Sequence, residues 1–121
     1  MSKRVFVVED QEDNRQILRD LLESAGIEML EAWDGPAGLA AATSERPDLI
    51  LMDIQLPGLD GYEVTRRIKA DPALRAIPII AVTSYALSGD EDKARAAGCD
   101  AYVTKPFSPR QLLAKIREYL P

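Results

Sequence analysis

The chain has 121 residues, 15 of them Lys or Arg and 20 Asp or Glu, giving a formal net charge of −5, with one cysteine and no histidine. That length is one ordinary domain able to bury roughly two-thirds of its unfolded surface, and a hydrophobic content of 46% argues against disorder. The absent histidine excludes Ser-His-Asp and Cys-His nucleophiles and His-ligated zinc or iron, and a lone cysteine excludes an internal disulfide.

In chain order, Val5 to Val8 is a short β-branched and aromatic run that reads as a strand. Ile17, Leu18, Leu21, Leu22 and Ala25 recur at helical spacing, and Gly26 stops that helix. Ile27 to Ala32 reads as a second strand; Gly35-Pro36 then opens a helix of small residues, with Pro36 suited to its first turn. Leu49 to Met52 is an uninterrupted apolar strand. Asp60 with Glu63 resembles a capping box for a helix through Ile68, which Pro72 ends. Ile77 to Val82 is the next strand, Ser88 with Glu91 can cap a fourth helix closed by Gly98, and Ala101 to Val103 is a brief fifth strand. Ser108, Pro109 and Gln111 start the last helix, whose buried stripe is Leu112, Leu113, Ile116 and Leu120.

Five strand–helix units with near-continuous apolar strands predict an α/β domain over 1–121, a parallel sheet covered on both faces. Right-handed crossovers make it a doubly wound open sheet. The longest apolar runs are too short to span a membrane, the N-terminus lacks a secretory pattern, and the scattered basic residues argue against direct nucleic-acid binding. A cytoplasmic location is expected.

In such sheets the functional crevice lies beyond the carboxyl ends of the strands. Glu9 and Asp10 follow the first strand, Asp53 the third, Thr83 and Ser84 the fourth, and Lys105 the fifth. Taken singly these residues are ordinary: an Asp after a strand usually caps a helix, as expected for Asp34 and Asp60, and Glu9, Asp10, Glu12 and Asp13 would serve as a solvated acidic turn. Their agreement in position carries the signal. Asp10 and Asp53 placed together would raise one another's pKa unless a cation lay between them. An all-oxygen site favours Mg²⁺, or Mn²⁺, over zinc or copper. Lys105 can neutralise a phosphoryl oxygen and Thr83 can donate a hydroxyl to another, a set suited to phosphoryl transfer onto a carboxylate.

Glu9-Asp10, Leu51-Met52-Asp53, the turn Leu56-Pro57-Gly58-x-Asp60-Gly61, Ala81-Val82-Thr83-Ser84 and Lys105-Pro106-Phe107 resemble the receiver domain of bacterial two-component response regulators, the CheY-like family. The resemblance covers nearly the whole chain and implies a five-stranded sheet of order 2-1-3-4-5 with five helices. It implies Asp53 as phosphoacceptor; Mg²⁺ bound by Asp10, Asp53 and the Gln55 backbone carbonyl, with Glu9 acting through a coordinated water; and Thr83 and Lys105 on phosphoryl oxygens. Glu9 is longer than the aspartate of many relatives. The Lys105-Pro106 bond is expected to be cis. Tyr102 stands where the family carries an aromatic switch, so phosphorylation would draw Thr83 inward and Tyr102 into the space released. The face made by the fourth helix, fifth strand and fifth helix would then change its affinity for a downstream protein.

The phosphodonor implied is a histidine kinase or histidine phosphotransfer protein, and the chain is expected to be a monomer or weak dimer that assists its own phosphorylation and dephosphorylation without being an enzyme. A Mg²⁺-dependent phosphohydrolase acting through Asp53 is the alternative, but a substrate-enclosing cap needs more chain than this. A flavin or nucleotide module needs a phosphate-cradling loop after the first strand, where Glu-Asp-Gln-Glu-Asp stands instead. A fold kept for docking alone sits poorly with the intact acidic pair, Asp53, Thr83 and Lys105. Outside this set, Cys99 reads as a small buried residue, Trp33 as a packing residue and Tyr85 as a shield for the phosphoryl group. Arg15 and Leu18 serve equally as surface, as core or as part of the face relatives use to dock phosphodonors. A chain ending naturally at Pro121 would act through protein contacts or phosphorelay.

Overall fold

The structure is a computed structural model that describes residues 3–56, 58, 60–83 and 90–120, with the side chain of residue 90 excepted. Ser84, Tyr85, Ser88, Pro57 and Pro121, each used in the sequence reading, lie outside the described residues. The elements are β1 (Arg4–Val8), α1 (Glu12–Ser24), β2 (Glu28–Ala32), α2 (Gly35–Glu45), β3 (Leu49–Asp53), α3 (Gly61–Ala70), β4 (Ile79–Thr83), α4 (Asp90–Ala97), β5 (Ala101–Thr104) and α5 (Pro109–Tyr119). The five strands form one parallel sheet of order β2-β1-β3-β4-β5, the order the family resemblance implies.

Alternation along the strands explains why both faces are covered. Phe6, Val8, Ile50, Met52, Ile79 and Ala81 join one cluster with Ala42, Val64, Ile68 and Ala94 of α2, α3 and α4. Val5, Val7, Leu49, Leu51 and Ile80 join the other with Leu18 and Leu22 of α1 and Leu112 and Ile116 of α5. Successive side chains of a strand point to opposite faces, so a continuous apolar run is what a doubly buried strand requires.

Most of the predicted starts and stops hold, with physical reasons where they shift. Asp34 accepts the Ala37 N–H at 2.7 Å, Asp60 the Glu63 N–H at 2.9 Å and Ser108 the Gln111 N–H at 3.4 Å. The capping box at Asp60 is only half made, because the Glu63 carboxylate turns to Arg66 and Arg67, both at 3.1 Å. Pro72 acts through its neighbour: Asp71 is forced to extended backbone (φ −88°, ψ 117°) and ends α3. Gly26 takes a left-handed φ of 73° after α1. β4 begins at Ile79 rather than Ile77, with Ile77 N–H bonded back to the Leu74 carbonyl at 3.0 Å in the preceding turn. Ile17 departs further. It is 48% exposed, so α1 packs through Leu18 and Leu22 and leaves Ile17 off the stripe.

Candidate functional site

Strand register decides what meets at the carboxyl edge of the sheet. Val8 pairs with Met52, Asp53 with Val82, and Thr83 with Thr104. Glu9, Asp53, Thr83 and Lys105 therefore arrive within about a residue of one level, close to the place between β1 and β3 where the order of the sheet reverses. Backbone bonds carry the ladder past the strands: Glu9 N–H to the Ala32 carbonyl at 3.0 Å, Ile54 N–H to Val82 at 3.0 Å, and Lys105 N–H to Thr83 at 2.7 Å. Asp53 and Thr83 are the last residues of β3 and β4 rather than the first beyond them. Their backbones are thereby held in the sheet. Gly61, first in α3, presses against Asp53 so closely that a Cβ there would clash with the Asp53 carbonyl oxygen and lie 2.8 Å from Ile54 Cα. Only glycine fits.

The carboxylate oxygens of Glu9, Asp10 and Asp53 lie within 4.8 Å of one another. Glu9 is 2% exposed and Asp53 4%, while Asp10 is half-buried. Lys105 Nζ reaches into this group, 2.5 Å from Glu9 Oε1 and 3.5 Å from Asp53 Oδ2. The other Glu9 oxygen, Oε2, accepts the Gln11 N–H at 3.0 Å, just ahead of α1. Asp53 Oδ1 accepts the Gln55 N–H at 3.1 Å, and the Gln55 carboxamide donates through Nε2 to Thr83 Oγ1 at 2.8 Å. The bond between Lys105 and Pro106 is cis.

Burial pushes the Asp53 carboxyl up to about 7 from an ordinary 3.8, the neighbouring Glu9 charge adds to the rise, and Lys105 opposes it without cancelling it. A buried carboxylate whose ionisation is disfavoured, with two further carboxylates within reach, is a donor set that a hard divalent cation relieves. The residues present fit Mg²⁺ and offer neither thiolate nor imidazole for softer metals.

Around the site Arg15 and Leu18 take the buried one of their expected places, and Trp33 departs from its own. Arg15 is 8% exposed; its Nη1 donates to the Glu9 carbonyl at 2.8 Å and its Nη2 to Glu12 Oε2 at 2.5 Å. Trp33 does not pack into the core: it is 57% exposed, with the Arg15 guanidinium 5.0 Å from its ring centroid. A β2 edge strand is shallow, and the residue after it covers a charged side chain instead of an apolar one. Leu18 is core, at 4% exposure. Ile17 lines an open groove of about 460 Å³ with Asn14, Lys105, Pro106, Phe107 and Pro109. Tyr102 is half-buried on β5, packed against the α2–α3–α4 side of the core, and borders a second groove of about 290 Å³ with Phe107, Gln111 and Lys115. Cys99 is buried as expected, and burial pushes its thiol up to about 11. The side-chain reach of Gln55 had no signal in the sequence beyond its place two residues after Asp53.

Residues 5–117 match the response regulator receiver domain family. The chain is 48% identical over 120 residues to the polar-differentiation response regulator DivK of Brucella anthropi, covering 99% of this chain and 98% of that protein. Its fold is similar to the receiver domain of a sensor histidine kinase from Pseudomonas aeruginosa PAO1, described with a magnesium ion coordinated in the active site cleft (TM-score 0.91, 36% identity, 98% of each chain). It is also similar to the chemotaxis response regulator CheY4 of Vibrio cholerae (TM-score 0.92, 28% identity, 99% of this chain and 100% of that one). Since the match runs from the first strand into the last helix and a relative 48% identical spans nearly the whole chain, the chain belongs to the response regulator receiver domain family, the phosphoacceptor switches of two-component signalling.

Proposed function

We propose that Asp53 is the phosphoacceptor of this switch and that residues 1–121 form one receiver domain around it. The observation that carries the reading is the burial of Asp53 beside Glu9, Asp10 and Lys105 at the end of β3, with the Thr83 hydroxyl linked to it through Gln55. An Asp53 oxygen attacks the phosphorus of a phosphohistidine on a partner; the P–N bond breaks, its electron pair stays with the imidazole, and an acyl phosphate forms. Asp10, Asp53 and the Gln55 backbone carbonyl would hold Mg²⁺, with Glu9 one water away. Bound there, the ion supplies charge neutralisation for the phosphoryl oxygens. Lys105 takes a phosphoryl oxygen on leaving Glu9, and Thr83 donates its hydroxyl to another. Tyr102 follows Thr83, changing the α4–β5–α5 face for a downstream protein.

The partner is a histidine kinase or histidine phosphotransfer protein, and the groove beside Ile17 and Phe107 suits it. Lys105 belongs both to that groove and to the carboxylate cluster, so a protein seated there presents its phosphohistidine at Asp53. The chain works in the cytoplasm as a monomer or weak dimer; among the described residues no helix is long and apolar enough to cross a membrane.

Incubation with acetyl phosphate and Mg²⁺ tests this. A base- and hydroxylamine-labile label forms on the wild type and is lost, by more than about a hundredfold, in Asp53→Ala. Equal label on the variant would overturn the assignment. The chain is a switch and not a turnover enzyme, so phosphomonoesters are not hydrolysed beyond one equivalent; sustained turnover marks a phosphohydrolase instead.

A further inference from the structure

We propose that the Gln55 side chain is a latch on Thr83, holding the hydroxyl in its resting arrangement and setting how readily the switch is thrown. The inference rests on the reading of Asp53 and Thr83 above, but the latch itself is a feature of the unphosphorylated protein. Two bonds from one residue carry it. The Gln55 backbone N–H is on Asp53 Oδ1 at 3.1 Å, and its carboxamide Nε2 is on Thr83 Oγ1 at 2.8 Å, across 28 residues of sequence. Gln55 thus ties the end of β3 to the end of β4 on the side where both strands offer functional groups.

The setting gives that bond weight. Thr83 is 1% exposed and Gln55 half-buried, so water replaces the Gln55–Thr83 bond only in part when it breaks. Thr83 accepts from Gln55 as it stands. The hydroxyl can accept and donate at once, so what opposes the Gln55 bond is displacement: the inward movement of Thr83 in the reading above carries Oγ1 away from Gln55 Nε2. A bond made in only one of two states biases the equilibrium toward that state by its own strength. One net hydrogen bond corresponds to roughly a three- to tenfold bias. The backbone N–H on Asp53 is untouched by any change of the Gln55 side chain, which makes the two contacts separable. Gln55 is therefore a positioning residue acting through Thr83.

Gln55→Met keeps the length of the side chain and removes the donor. With beryllofluoride and Mg²⁺ as the probe and the amide resonances of Thr83 and Tyr102 as the readout, the half-saturating beryllofluoride concentration falls roughly three- to tenfold in Gln55→Met. In a Thr83→Ala background the same change shifts half-saturation by less than in the wild type, because the bond to the Thr83 hydroxyl is already gone. In the metal-free wild type, the Gln55 side-chain amide proton resonates downfield of an exposed glutamine, and that displacement disappears in Thr83→Ala. Unchanged or weakened beryllofluoride binding in Gln55→Met overturns the latch, as does an equal response with and without the Thr83 hydroxyl. Failure of the wild type to bind beryllofluoride or take label on Asp53 counts against the phosphoacceptor reading instead, and the metal-free amide resonance still tests the Gln55–Thr83 bond by itself.

Discussion

Where the strands of the sheet begin, Asp48 accepts the Arg4 N–H at 2.8 Å, and Asp100 accepts both the Ile79 N–H at 2.8 Å and Lys69 Nζ at 3.0 Å. Lys69 is completed by the carbonyls of Ile77 at 2.8 Å and Arg75 at 3.1 Å. Where the strands stop, Glu9, Asp10 and Asp53 crowd within 4.8 Å of one another, and Lys105 alone brings an ammonium among the described residues. The same kinds of group are thus neutralised at one end and left in excess at the other. Charges matched to backbone groups close the sheet and stabilise it. Excess carboxylate in a buried place costs stability, and what relieves it is a cation, a proton or a change in one carboxylate, which is where signalling enters.

Three measurements break or sharpen this contrast. The largest effect is chemical silence near the closed end. With the Cys99 thiol pushed up to about 11 against an ordinary 9.0, its thiolate population at pH 8 is roughly a hundredfold below that of an exposed cysteine. Alkylation by iodoacetamide slows by at least that factor; a rate near that of free cysteine would show that this end opens. Next, Asp100→Ala leaves the Ile79 N–H and Lys69 without their shared acceptor. Urea unfolding then shows a loss of about 1–2 kcal/mol, with no change in labelling of Asp53. A matching loss of labelling would mean that the two ends are coupled.

The third effect runs in the opposite direction. The folded state raises the Asp53 pKa from 3.8 to about 7, so between those values the native protein holds a proton that the unfolded chain has released. Native stability therefore declines as pH rises through that window, and the penalty is complete above pH 7. Asp53→Asn, neutral throughout, is more stable than wild type at pH 8 by about 1 kcal/mol or more, and the two converge near the unfolded value of 3.8. Excess Mg²⁺ at pH 8 narrows the gap by stabilising only the wild type, and EDTA restores it. Equal stability of the two proteins at pH 8 without metal would remove the idea of a strained carboxylate cluster.

Much of this was readable from residue order. The strand runs opening at Val5, Leu49 and Ile77 declare burial on both faces, although the last starts two residues early; the caps at Asp34, Asp60 and Ser108 declare helix starts, and the strand ends bring Glu9, Asp53, Thr83 and Lys105 to one edge. Sequence reading failed where depth decided the outcome. Ile17 fits the helical stripe of α1 yet stands exposed, and Trp33 covers Arg15 instead of entering the core. Periodicity reports the direction of a side chain around its own element, not what the neighbouring element leaves for it to touch.

What the amino-acid order determined by itself was the alternation of strands and helices, their ends, and the kinds of group delivered to the carboxyl edge, because spacing and caps depend on residues close together in the chain. Only the tertiary structure decided how those groups share one another. Lys105 pairs most closely with Glu9, 96 residues away, and Gln55 turns its amide to Thr83 rather than to solvent. Those choices depend on strand register, on the reach of a glutamate side chain and on the depth at which each group is buried. All three are properties of the packed sheet and of no single segment.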